Sequence, residues 1–226
     1  MDKTFPDFPL AARRVLGALA LFEPHWSVSG RAALWWWLRR VPPLIGQLDF
    51  VWHDFGDLGA LHGRVVRTLA DAGLDVATLY GDSQRIWLGA GYCGSTCLLS
   101  LTAEPGPLLE PPQEARMAGV EVAVDGLREV VAAILCSLHK RPDRQDLENA
   151  GLLVRHRVSL NRGLEDACDR NPDLVPLDFA VGLAHFDIED PELSEITLGR
   201  LRRYQEQVVF KILAACAPKP RTSRRR

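Results

Sequence analysis

The sequence lacks a long apolar run, an excess of charge of either sign and a regular set of cysteines. No apolar stretch approaches the roughly 20 residues that cross a bilayer as a helix, so we expect no membrane span. The 226 residues have a formal net charge of −2, which gives no overall attraction to nucleic acid or to an anionic membrane. The five cysteines are odd in number and irregularly spaced, which favours scattered buried thiols in a reducing cytoplasm over disulfides or a zinc site.

The amino-terminal segment is the one candidate for a secretory leader. Asp2 and Asp7, the prolines, and the pair Arg13-Arg14 that interrupts the apolar stretch argue against that interpretation. We expect an amphipathic helix over about 9–21 and a cytoplasmic protein. Apolar residues make up 47% of the chain and charged residues 25%, so the sequence can bury a core and is not typical of a disordered protein.

The hydrophobic periodicity predicts helices and strands in the first half of the chain and helices alone in the second. We expect early helices over 9–21, 31–40 and 58–72, strands over 47–53, 75–79, 85–88, 97–102 and 121–124, a proline-rich loop over 103–119, a helix from 125 that Asp125 caps, and further helices over 146–155, 160–169, 176–186 and 191–216. This order indicates an α/β (α+β) fold with a mixed sheet. The predicted division is an α/β core over 1–124, a helical part over 125–217, and a basic disordered tail over 218–226.

The strand over 47–53 carries the most informative polar residues. Because side chains alternate along a strand, Gln47, Asp49, Val51 and His53 should share one face. An Asp49–His53 metal pair is geometrically feasible, but a histidine at a strand end is more often bonded to the backbone. The adjacent Trp35, Trp36 and Trp37 should point in three directions on a helix, which favours packing over a single stacking platform. Their apolar surface also fits a contact with a protein partner.

Five segments in this order resemble the nucleotidyltransferase superfamily, specifically its abortive-infection (AbiEii-type) toxin branch. They are 29–34 (Ser-Gly-Arg-Ala-Ala-Leu), 47–50 (Gln-Leu-Asp-Phe), 98–105, 125–138 and 141–149, and the resemblance spans about 25–187. It implies a nucleotidyltransferase-like mixed sheet with flanking helices. It also implies a site in which paired acids hold Mg²⁺ against a nucleoside triphosphate, with a glycine turn at a helix start approaching the phosphates.

The sequence departs from the family pattern where the pattern carries charge. Gln47 replaces the first acid of the pair, Ser100 stands in the approximate place of the third acid, and Arg31 replaces the second glycine. Ile134 stands where the family helix carries a lysine, and Gln145 and Asn149 replace two charged residues around Asp146. Asp49 is the residual catalytic and metal-ligand candidate. The resemblance implies nucleotide-binding candidates at Ser29, Gly30, Arg31, Gln47, Ser100 and Asp146.

These departures favour a catalytically inactive protein that acts by binding or regulation, with a protein partner and with nucleotide or RNA as further ligands. Neither a cofactor nor a membrane partner is expected. An active nucleotidyltransferase toxin that modifies RNA or protein is the alternative, and it alone requires Mg²⁺ and a nucleoside triphosphate. A structural subunit of a larger assembly is the second alternative, since the chain carries six tryptophans.

Overall fold

A computed structural model describes residues 8–39, 46–53, 56–104, 106–190 and 192–217. The chain divides into two compact units, Met1–Val130 and Val131–Arg226. The predicted boundary after residue 124 stays a prediction, and the predicted basic tail over 218–226 lies outside the described residues. None of the described helices is long and apolar enough to cross a membrane.

The described residues form eight helices and seven strands. The helices are α1 (Leu10–Leu19), α2 (Gly30–Leu38), α3 (Gly59–Asp71), α4 (Leu127–Lys140), α5 (Arg144–Arg155), α6 (Leu160–Arg170), α7 (Pro176–Ala184) and α8 (Glu195–Cys216). The strands are β1 (Ser27–Ser29), β2 (Gln47–Trp52), β3 (Asp75–Gly81), β4 (Arg85–Tyr92), β5 (Ser95–Ala103), β6 (Gln113–Met117) and β7 (Val120–Val124). The predicted α/β fold with a helical second half is confirmed.

The first unit contains one mixed sheet with the strand order β3-β4-β5-β2-β1-β7-β6. Strand β2 lies in the middle, antiparallel to β1 and parallel to β5. One face of the sheet is apolar and carries fully buried side chains, among them Leu48, Phe50, Trp52, Leu99 and Leu101. Helices α1 and α3 pack on the sheet and on each other. The opposite face carries Gln47, Asp49 and Val51, as the alternation along β2 predicts.

The second unit is helical, and three of its helices begin at side-chain caps. Asp143, Ser159 and Ser194 each accept a hydrogen bond from the backbone N–H three residues further on, at the starts of α5, α6 and α8. Helix α8 packs against α5, α6 and α7. Its buried stripe consists of Leu201, Tyr204, Val208 and Ile212, which recur at helical spacing.

Two predictions about local structure were wrong. The segment 103–119, read as loop because of its prolines, contains β6, which pairs with β7 in a hairpin. Asp125 was expected to cap α4, but Glu110 accepts the N–H of Arg128 at 2.7 Å instead. Glu129 accepts the N–H of Leu109, so these two bonds fasten the end of the proline-rich segment to the start of α4.

Candidate functional site

The candidate site lies on the polar face of the sheet, where β1 ends and α2 begins. Asp49 of β2 is in register with Ser29 of β1 and with Ser100 of β5, so the three side chains share that face. Ser29 and Ser100 are each only 5% exposed. The fold therefore brings six predicted site residues together: Ser29, Gly30, Arg31, Gln47, Asp49 and Ser100.

Gly30 is the first residue of α2 and has a left-handed backbone conformation, with φ +57°. A Cβ atom added at this position would lie 2.3 Å from Oδ2 of Asp49. Both observations require glycine, because any other side chain would strain the backbone and collide with the carboxylate. The turn packs against Asp49, and its predicted approach to a phosphate stays a prediction.

Asp49 is partly buried and is bonded to its neighbours. Gln47 Nε2 donates a hydrogen bond to Asp49 Oδ1 at 2.8 Å, and the backbone N–H of Arg31 donates a second bond to the carboxylate. Burial raises the pKa of Asp49 to about 6, although the Gln47 bond, the charge of Arg85 and the Arg31 bond each lower the pKa in part. The carboxylate therefore holds a proton to higher pH than an exposed aspartate does.

The residues present do not fit a two-carboxylate magnesium site. An ionised Asp49 can only accept hydrogen bonds, so Gln47 must direct its N–H donors, rather than its oxygen, at the carboxylate. Mg²⁺ needs oxygen ligands and negative charge, and an amide N–H aimed at Oδ1 supplies neither. In the described ranges, no group of three or more His, Cys, Asp or Glu side chains is arranged to hold a metal ion.

Further acids and a thiol lie close to Asp49 in sequence or in space. Asp57 accepts the N–H of Gly59 at the start of α3, at 2.7 Å, and Asp54 lies outside the described residues. Burial, followed by the charge of Asp49, raises the pKa of the Cys97 thiol to about 12, so this cysteine stays protonated and is a poor metal ligand. Asp146 belongs to the second unit, where it accepts a hydrogen bond from Ser137 Oγ at 2.6 Å.

A buried polar cluster that the sequence did not indicate joins β1, the end of β2 and the residue after β7. Asp125 accepts a hydrogen bond from Ser27 Oγ, and His53 Nε2 lies 2.8 Å from Asp125 Oδ1 and 3.0 Å from Ser27 Oγ. His53 is therefore bonded to side chains, not to the backbone as expected. Because both contacts use the same ring nitrogen, the cluster is not a serine–histidine–aspartate relay, which needs one nitrogen for each partner.

The three consecutive tryptophans differ in their burial and contacts. Trp35 is 8% exposed, and its Nε1–H has no partner among the described residues. Trp37 donates to the backbone oxygen of Asp125 at 2.8 Å. Trp36 and Trp37 meet edge to face with ring centroids 4.8 Å apart. These side chains pack in the first unit and do not form a stacking platform.

Comparison with known proteins finds similarity in structure but not in sequence. No family model matches the chain, and neither does any curated protein. Among solved structures, MenT4, a nucleotidyltransferase toxin from Mycobacterium tuberculosis H37Rv, is similar over 92% of this chain and 87% of its own, with 16% identity and a TM-score of 0.51. JHP933 from Helicobacter pylori covers 90% of this chain and 91% of its own, with 16% identity and a TM-score of 0.47.

An antigenic nucleotidyltransferase-like protein from Paracoccidioides brasiliensis is 13% identical, covers 92% of this chain and 94% of its own, and has a TM-score of 0.42. Identities this low establish a fold and nothing finer, and the comparison with MenT4 carries that conclusion. The mixed sheet with flanking helices agrees with the fold that the resemblance implies. The chain has the nucleotidyltransferase fold.

Proposed function

We propose that this protein is a catalytically inactive member of the nucleotidyltransferase fold that acts by binding. The observation that carries the proposal is the 2.8 Å hydrogen bond from Gln47 Nε2 to Asp49 Oδ1. An acid in the place of Gln47 would share a cation with Asp49. The amide instead donates a hydrogen bond to the carboxylate and adds no negative charge that could hold a cation. The positive charge that would neutralise a transferring phosphate is therefore missing.

The surroundings of Asp49 support the same proposal. Burial raises its pKa to about 6, so the carboxylate is mostly ionised at neutral pH, and a cation competes with a proton for it only in mildly acidic solution. Ser100, in register with Asp49, offers a neutral hydroxyl where the resemblance implies an acid.

The test is nucleotide transfer by the wild-type chain, Asp49→Ala and Gln47→Asp. Each protein is incubated with Mg²⁺ and radiolabelled nucleoside triphosphates, with bulk RNA or protein as acceptor, and pyrophosphate release is followed. We expect equal background rates for wild type and Asp49→Ala. Calorimetry with Mg²⁺ should detect stronger binding to Gln47→Asp than to wild type, because the second carboxylate restores a pair. Magnesium-dependent release by wild type that Asp49→Ala abolishes would establish the active toxin alternative instead.

The second candidate function, a subunit of a larger assembly, is favoured by an apolar patch on α7. Leu177 and Val181 are one helical turn apart, and they are exposed by 54% and 51%. Val175, at the cap of the same helix, is 48% exposed. Grouped apolar side chains of this size favour a protein contact. Light scattering of wild type and of Leu177→Ser/Val181→Ser should show a mass larger than one chain only for wild type; a wild-type monomer would exclude self-assembly through this patch.

A further inference from the structure

The second unit contains a groove between α5 and α8 that the candidate site does not involve. One cavity of about 510 Å³ is lined by Val154, Arg155, Arg200, Arg203, Tyr204 and Gln207. A second cavity of about 440 Å³ shares Val154 and Gln207 and adds Glu206, Phe210 and Lys211. The two cavities therefore adjoin, and we refer to them together as the α5–α8 groove.

The charge of the groove is positive and largely uncompensated. Arg200 lies 3.2 Å from Glu148 in an ion pair. Arg155 and Arg203, by contrast, form no hydrogen bond or ion pair within the part of the chain that the structure describes. Exposed arginines are usually solvated, but two that converge on one cavity from two helices create a local positive potential. Guanidinium groups match phosphate oxygens with paired N–H donors.

Tyr204 is a fixed wall of the first cavity. Its ring packs against Gly151 of α5 so closely that a Cβ there would lie 2.2 Å from Cγ of the ring. The residue is only 8% exposed, yet its hydroxyl has no hydrogen-bond partner among the described residues. The hydroxyl itself is not enclosed, so it is a donor available to a ligand beside the two arginines.

The second cavity supplies an apolar surface next to the charge. Phe210 is 68% exposed, so a large part of its ring is accessible beside the cavity. Aromatic faces stack on nucleobases. Glu206 and Lys211 beside it offer an acceptor and a donor for the polar edge of a base or for ribose hydroxyls.

We propose that the α5–α8 groove binds a mononucleotide, with phosphate at Arg155, Arg203 and Tyr204 and the base against Phe210. The size of each cavity lies within the roughly 300–1,000 Å³ typical of small-molecule sites. The net charge of −2 gives the chain no overall attraction to a polynucleotide, which favours a small ligand with a few phosphates. The proposal goes beyond the proposed function and holds whether or not Asp49 takes part in catalysis.

The test is calorimetry of the full chain in EDTA with three probes: ADP, inorganic pyrophosphate and a short single-stranded RNA oligomer. We expect ADP to bind to the wild type. The double variant Arg155→Gln/Arg203→Gln should have an affinity for ADP that is lower by about tenfold or more. Phe210→Ser should weaken the binding of ADP but leave the binding of pyrophosphate unchanged, since only ADP carries a nucleobase that can stack. The changed side chains are exposed, and circular dichroism checks that the variants remain folded.

Two controls separate this groove from other anion contacts. Arg202 lies on the same helix, α8, but forms an ion pair with Glu189 at 2.9 Å, so Arg202→Gln should leave ADP binding unchanged. Asp49→Ala should also bind ADP normally, which distinguishes the groove from the sheet site. The proposal is overturned by no ADP binding, by an undiminished affinity in the double arginine variant, by equal affinity for ADP and pyrophosphate, or by an RNA oligomer that outcompetes ADP.

Discussion

The Asp49 site and the α5–α8 groove differ in where their polar groups find partners. Asp49 accepts hydrogen bonds from the side chain of Gln47 and from the backbone N–H of Arg31, so its carboxylate finds its partners within the site. Arg155, Arg203 and the Tyr204 hydroxyl have no partner within the described ranges. The polar groups of the Asp49 site are therefore bonded within the protein, whereas the groove keeps donors available. The predictions below test the two halves of this comparison.

The largest effect is expected from Gly30→Ala, which should lower the free energy of unfolding by about 3 kcal/mol. The left-handed backbone and the contact of the new Cβ with Asp49 Oδ2 both oppose the substitution. Urea unfolding followed by circular dichroism measures it. Gly17→Ala in α1, where a Cβ would meet nothing within 4 Å, is the matched control and should not destabilise. A cost in Gly30→Ala below about 0.5 kcal/mol would contradict the packing described.

Asp49→Asn should remove a pH dependence of stability that the wild type has. The folded-state pKa of about 6 lies above the ordinary value of 3.8, so the folded state keeps a proton that the unfolded state has already lost. Wild-type stability should therefore fall by up to about 3 kcal/mol as the pH rises from about 4 to about 6, and then level off. The variant should lack this slope in urea titrations from pH 4 to pH 8.

A control acid is available on the edge strand β3. Asp75 is exposed, and Asp75→Asn should retain the wild-type slope because Asp49 is intact. Equal slopes in wild type and Asp49→Asn would show that Asp49 titrates alike in the folded and unfolded chains.

In the groove, Gly151→Ala should cost about 1–3 kcal/mol in stability, because the added Cβ would overlap the ring of Tyr204. Displacement of that ring should also weaken ADP binding. Thermal unfolding and calorimetry measure the two effects. Gly182→Ala on α7, where a Cβ meets nothing within 4 Å, should change neither. ADP affinity that survives in Gly151→Ala would remove Tyr204 from the proposed site.

The smallest effect is expected from Glu148→Gln. The partly exposed pair with Arg200 is worth less than about 1 kcal/mol, so stability should hardly change. Loss of the negative charge should strengthen ADP binding a few-fold, most clearly at low salt. Glu189→Gln, which removes the ion-pair partner of Arg202, is the control and should not change the affinity for ADP. Weaker binding in Glu148→Gln would mean that Glu148 contacts the ligand.

Local patterns in the sequence predicted most of the fold. The two-residue period of β2 predicted the face that carries Gln47 and Asp49, and hydrophobic periodicity predicted the helices of the second unit. Strand β1 was missed because three residues are too short to show a period. Strand β6 was missed because the prolines before it dominated the local signal.

Local sequence patterns did not predict the contacts between residues that are distant in sequence. The gathering of Ser29, Asp49 and Ser100 was predicted through a family resemblance rather than through spacing. Asp125 carries a valid local capping signal, but His53 and Ser27 bind its side chain across the sheet. The convergence of Arg155 with Arg203 depends on how α5 packs on α8, and no local pattern encodes that packing.

The contact between Gly30 and Asp49 has a consequence for how this chain diverges. The space that a side chain at position 30 would need is filled by the carboxylate at 49, and the carboxylate in turn is held by the N–H of the next residue. In descendants of this chain, a side chain at position 30 should become less costly once the residue at position 49 is smaller than aspartate. Selection for folding alone is then enough to keep glycine and aspartate together at these two positions.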